Sequence, residues 1–260
     1  MATFPAPTFP AERTAIVTGA VSERGIGRAT VNYLAAQGWN IGVIDLDDAL
    51  CKSTAKEIAS EYGVKASGVG ANVADEASVR SAIDTLEAEL PQIVALANVA
   101  GVSSPIGYLE LEPAEWDRVL SINLNGVHYA TRRVAESMVK NRIGRIVNIS
   151  SVSAQRGGGT FSKTPYSVAK AGVIGLTRAT ARELGEYDIT VNAISPGPID
   201  TDIMGGTLSQ ERKDELTKDL VVNRVGSTRD IAAAIAFLIS EDAGYISGQT
   251  LNVDGGLYMH

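Results

Sequence analysis

Short apolar runs alternate with longer amphipathic stretches from one end of the chain to the other. Thr14–Thr18 (TAIVT) is apolar and β-branched. Similar runs recur at Ile41–Ile44, Ala66–Val69, Ile93–Ala97, Ile146–Ile149, Thr190–Ile194 and Thr250–Val253. Such short runs read as buried strands. Between them, apolar residues recur at helical spacing over Ile26–Gln37, Ala49–Tyr62, Ala77–Leu90, Glu115–Lys140, Val168–Leu184 and Arg229–Ser240. The alternation predicts an α/β fold, a parallel sheet of about seven strands with helices on both faces.

No break in composition divides the chain, and no solenoid repeat is visible. Residues 13–260 are expected to form a single domain, preceded by a loose, Pro-rich arm over residues 1–12. The least regular region runs from Pro196 to Val225 and carries the charged cluster SQERKDELTKD. A long insertion at the carboxyl end of a strand suits a substrate loop. A solvated amphipathic helix is the plainer reading.

Composition narrows the function. Hydrophobic residues make up 45% of the chain, enough for a large core, and the formal net charge is −7. An acidic surface repels nucleic acid and anionic membranes, so neither is expected as a partner. Cys51 is the single cysteine, which excludes an internal disulfide and fits a cytoplasmic location. With that one cysteine and two histidines, His128 and His260, a Cys/His zinc site is not expected, and no metal is assigned. The N-terminus lacks a signal-peptide pattern, and no apolar run reaches membrane-spanning length.

The first strand runs into Thr18-Gly19-Ala20-Val21-Ser22-Glu23-Arg24-Gly25-Ile26-Gly27. Glycines between a strand and a helix let the backbone approach a pyrophosphate, which the helix N-terminus then faces. The next strand leads to Asp45 and Leu46, where a dinucleotide fold places an acidic residue on the adenosine ribose. A carboxylate there accepts from both ribose hydroxyls of NAD and repels the 2′-phosphate of NADP. Arg24 could neutralise that phosphate instead, but Asp45 should lie on the ribose itself, so NAD is the expected cofactor. Asp47 and Asp48 read mainly as helix-capping and first-turn charges.

Tyr166 and Lys170 stand four residues apart, on one face of a helix. They follow a strand ending Asn148-Ile149-Ser150-Ser151. Together with the Gly-rich turn, Asn98-Val99-Ala100-Gly101, Asn123, Pro196-Gly197 and the ending Gly248-Gln249…Val253-Asp254-Gly255-Gly256, these stretches resemble the short-chain dehydrogenase/reductase family over nearly the whole chain. The resemblance implies a doubly wound Rossmann-type domain and an NAD-dependent oxidoreductase that interconverts a secondary alcohol and its ketone. It implies Tyr166 as general acid/base, Lys170 lowering the phenol pKa and holding the nicotinamide ribose, Ser151 polarising the carbonyl oxygen, and Asn123 anchoring a water relay. It also implies cofactor contacts from Gly19, Arg24, Gly25, Ile26, Gly27, Asp45, Leu46, Asn72, Val73, Asn98, Ala100, Gly101, Pro196, Gly197, Ile199 and Thr201. A homotetramer is the assembly common in the family.

Three features depart from the family pattern. The turn has five residues between Gly19 and Gly25 where three are common. Val99 replaces a second Asn. Ser151 lies two residues farther from Tyr166 than is typical, and Ser153 has the typical separation. Ser151 is preferred because the sheet fixes the strand end, whereas the loop Gln155–Thr164 can absorb an insertion.

The substrate is expected to be a small alcohol or ketone. In the Gly-rich loop, Arg156 suits a carboxylate or phosphate, or else faces water as an ordinary surface arginine. Phe161, Tyr108 and Met204 could line an apolar pocket. The competing functions are an NADP-dependent ketoacyl reductase and a non-catalytic NAD-binding regulator. Retention of Tyr166, Lys170, Ser151 and Asn123 together argues against the regulator.

Overall fold

The structure, a computed structural model, describes residues 8–159, 162–204 and 206–259, apart from the Met204 side chain. In chain order the first half comprises β1 (Thr14–Thr18), α1 (Ile26–Ala35), β2 (Asn40–Asp45), α2 (Asp48–Tyr62), β3 (Ala66–Gly70), α3 (Glu76–Glu89) and β4 (Ile93–Asn98). The second half comprises α4 (Pro113–Leu120), α5 (Gly126–Asn141), β5 (Gly144–Ile149), α6 (Ser153–Arg156), α7 (Thr164–Leu184), β6 (Ile189–Pro196), α8 (Gln210–Thr217), α9 (Thr228–Ile239) and β7 (Thr250–Val253). All seven strands are parallel, in the order β3-β2-β1-β4-β5-β6-β7. The doubly wound expectation holds.

The inner strands β1, β2, β4, β5 and β6 are buried on both faces, so their side chains feed two cores, whereas the edge strands β3 and β7 are only partly buried. Val17, Val43 and Val147 join Leu34 of α1, Ile58 of α2 and Ile235 of α9 on one side. Ile16, Leu96 and Ile146 join Leu86 of α3 and Val134 and Met138 of α5 on the other. Phe9, from the described end of the N-terminal arm, packs edge-on against Trp39 and lies beneath the Arg145 guanidinium.

Two expected elements differ from the structure. The single helix expected over Glu115–Lys140 is α4 and α5, joined by a π-helical turn at Ser121–Asn125. That turn inserts Asn123, wholly buried, whose side chain donates to the carbonyls of Val102 and Val119 and accepts from Val102 N–H. Among its described residues, the segment from Pro196 to Val225 contains one α-helix, α8, with no buried residue, and a 3-10 turn at Asp202–Met204. It is therefore neither wholly irregular nor a single long helix.

The chain order reverses between β1 and β4, so their helices leave in opposite directions and open a crevice at the strand ends. Thr18 fixes its floor. Its hydroxyl accepts from the N–H groups of Val99 and Ala100, at 3.1 and 3.2 Å.

Candidate active site

Gly19 begins the crevice with φ +72°, and a Cβ there would lie 2.7 Å from Ala100 Cα. No side chain fits between the turn and the β4 exit. Gly27 serves packing: a Cβ on it would strike the Gly19 carbonyl. The turn leads into α1, whose first turn has neither a side-chain cap nor an acidic residue. By contrast, α2 and α3 are capped by Asp47 and Asp75. The free N–H groups of α1 therefore face the crevice, as an anion-binding helix end requires.

A cavity of about 580 Å³ fills this region. Gly19, Gly25, Ile26, Asp45, Leu46, Asn72, Val73, Ala100, Gly101 and Thr201 line it. Asp45 is held in place by the N–H groups of Val21 and Leu46, at 3.1 and 2.8 Å. A bare glycine cradle, an uncapped helix and a fixed carboxylate fit a dinucleotide.

Arg24 is placed elsewhere. It bonds Asp200 at 2.7 Å, approaches Asp202 at 3.6 Å, and does not line the cavity. The lengthened turn carries its guanidinium to the substrate segment, away from the cavity where a cofactor contact was expected. Gly27 and Asn98 are likewise behind the cavity wall. The Asn98 amide donates to Asn148 and Thr131, and Asn148 donates to Thr177, which ties β4 and β5 to α5 and α7.

A second cavity, about 250 Å³, adjoins the first through Ile26, Gly101, Ser103, Thr201 and Ile203. It contains Ser151, Tyr166, Lys170, Pro196, Gly197 and Ile199. Tyr166 and Lys170 lie in the first turns of α7, and Ser151 lies two residues past the end of β5. The Ser150 hydroxyl, donating to the Lys170 carbonyl at 2.8 Å, holds these two elements together. Ser151 hydrogen-bonds the Tyr166 phenol, and its oxygen also accepts from Ser153 N–H. Ser153 reaches the cavity from α6. Asn123 lines neither cavity. It stands behind Gly101, where a Cβ would lie 2.6 Å from its Oδ1 and 3.5 Å from Lys170 Nζ.

Burial governs the charges. The Lys170 ammonium, 2% exposed, donates to the Ile149 carbonyl at 2.8 Å, and loss of water brings its pKa down to about 8. Burial pushes the Tyr166 phenol up to about 12, and only the Ser151 hydrogen bond opposes this. The lowered phenol pKa expected from Lys170 is therefore not seen. Desolvation outweighs an ammonium 5.7 Å from the ring centre.

Ser22, Ser103, Asp202 and Ile203 also line the first cavity. Sequence spacing gave no sign of them, because the substrate segment meets the turn only in the folded chain. There Ser22 donates to Asp202, and Ser103 to the Ile203 carbonyl. Tyr108 lines neither cavity, and Phe161 and the Met204 side chain lie outside the described residues. Among the described residues, no helix is long and apolar enough to cross a membrane.

Fold and site together define a dinucleotide-binding oxidoreductase domain. The family model for enoyl-(acyl carrier protein) reductase matches residues 19–258. An uncharacterised short-chain type dehydrogenase/reductase of Sinorhizobium fredii is 39% identical over 249 residues, 95% of this chain and 98% of that protein. A 3-oxoacyl-[acyl-carrier-protein] reductase of Aquifex aeolicus is 38% identical, covering 95% and 97%. Among solved structures, a 3-oxoacyl-[acyl-carrier protein] reductase of Brucella melitensis with bound NAD superposes with TM-score 0.86 at 33% identity, covering 96% of this chain and 92% of that one. The chain belongs to the short-chain dehydrogenase/reductase family.

Proposed function

We propose that this protein reduces a ketone to a secondary alcohol with NADH, and that the ketone is of the 3-oxoacyl class. The observation that carries the chemistry is the buried Tyr166–Ser151 pair, in a cavity continuous with the one lined by Asp45. When bound, the nicotinamide supplies the hydride. Ser151 hydrogen-bonds the carbonyl oxygen and shares its developing charge. Tyr166, protonated at neutral pH, gives that oxygen its proton. Lys170 holds a positive charge beside the phenol and offers donors to a ribose.

The 3-oxoacyl assignment is supported by the names of the relatives, and displaces a simple alcohol as the preferred substrate. The choice of NAD is supported by Asp45 on the cavity wall and by Arg24 engaged elsewhere. The test follows consumption of NADH and NADPH with 3-oxoacyl thioesters, 3-oxo acids and simple ketones. NADH turnover with a 3-oxoacyl compound is expected. Tight cofactor binding without turnover of any ketone would show a non-catalytic NAD-binding protein instead.

A further inference from the structure

Charge is unevenly divided between the two cavities. The dinucleotide cavity carries the carboxylates of Asp45 and Asp202. The lining of the chemical cavity has no Asp or Glu among the described residues, yet Lys170, Arg156 and Arg212 all border it. In a chain of net charge −7, a small cavity with three cations and no carboxylate is a local reversal of sign. Low-dielectric walls strengthen such a field.

The three cations differ in their engagement. Lys170 is committed to the Ile149 carbonyl. Arg212 reaches in from α8 and pairs with Glu215. Arg156, the last residue of α6, lies one short helix beyond Ser151 and has no ion-pair partner among the described residues. A guanidinium presents paired donors matched to the two oxygens of a carboxylate.

We infer that the substrate is a free 3-oxo acid, and that Arg156 selects it by binding its carboxylate while the ketone meets Ser151 and Tyr166. This inference rests on the ketone-reductase reading and departs from its acyl form, putting the free 3-oxo acid in place of a 3-oxoacyl thioester. A thioester or neutral ester has no carboxylate beside the ketone and leaves Arg156 without that counter-charge.

The test compares acetoacetate, methyl acetoacetate and acetoacetyl-pantetheine as substrates of the wild-type protein, R156M and R156K. The acid should have the highest kcat/KM in the wild type. The acid-to-ester ratio should fall about tenfold in R156M, which corresponds to about 1.4 kcal/mol. R156K should lie between. A binding measurement is independent of turnover: 3-hydroxybutyrate should raise the wild-type melting temperature more than its methyl ester, and R156M should remove the difference. An equal acid-to-ester ratio in wild type and R156M, or preference for the pantetheine thioester, overturns the inference and leaves the ketone-reductase reading standing. No turnover of any ketone overturns that reading. Equal stabilisation by the two hydroxy compounds then overturns the carboxylate site as well.

Discussion

Arg24 and Asp200 are joined by a hydrogen-bonded ion pair of 2.7 Å across 176 residues of sequence. The pair fastens the turn after β1 to the segment after β6. Asp200 also accepts from the Leu208 N–H and pairs with Lys213 at 2.7 Å, and these cations hold its carboxyl below the usual range. R24A should loosen residues 201–209 at a small global cost, about 1 kcal/mol or less for a partly exposed pair. Limited proteolysis of that segment should quicken while the melting temperature barely moves. The KM for NADPH should rise no more than that for NADH. A selective loss with NADPH would mean that Arg24 reads a 2′-phosphate after all.

Asp45 should govern cofactor choice. D45A should raise the KM for NADH about tenfold, the effect of roughly 1.4 kcal/mol, and improve NADPH relative to NADH. Part of the loss comes from the backbone donors of Val21 and Leu46, which lose their shared acceptor. Steady-state kinetics with both cofactors checks the ratio.

Tyr166 and Ser151 should be separable from their neighbours by kinetics. Y166F should lower kcat about 10²–10⁴-fold, the usual range for a positioned acid, with NAD binding retained in a fluorescence titration. S151A should cost far more turnover than S153A, because Ser151 touches the phenol. The reverse order would transfer the polarising role to Ser153.

Lys170 makes stability depend on pH. Its folded pKa, about 8, lies below the ordinary lysine value of 10.5, so between these limits the unfolded chain binds the extra proton. Stability from this group therefore rises with pH through that window, and the cost of the buried charge is fully present below it. The Tyr166 phenol acts oppositely above pH 10, where its raised pKa keeps the folded state protonated and stability falls as pH rises towards 12. Urea unfolding of the cofactor-free protein between pH 8 and 10 should show the upward slope, and K170M should flatten it.

Much of this was legible in the residues. Period and punctuation located every strand, since the buried inner strands are near-continuous apolar runs and turn residues bound the partly buried edge strands β3 and β7. Thr14–Thr18 and Thr250–Val253 have the same bounds in both readings, and the others shift by one or two residues at an end. Tyr166, Lys170 and Ser151 were legible because helix and strand geometry decide where they point. The π-turn at Asn123 was not legible, because its side chain is engaged by the distant backbone of Val102. The destination of Arg24 was hidden for a similar reason, as its partners lie in a distant segment. The Tyr166 pKa direction required burial to be known, and spacing alone reports only the neighbouring ammonium.

The amide ladder through Asn98, Asn148 and Thr177 has a further consequence. It braces the strand and helix that bear Ser151 and Tyr166, and touches neither α6 nor α8, which bear Arg156 and Arg212. Replacements that retune which molecule is accepted can thus accumulate on the outer jaw without disturbing the inner anvil. The architecture separates what must stay constant in a lineage from what is free to diversify.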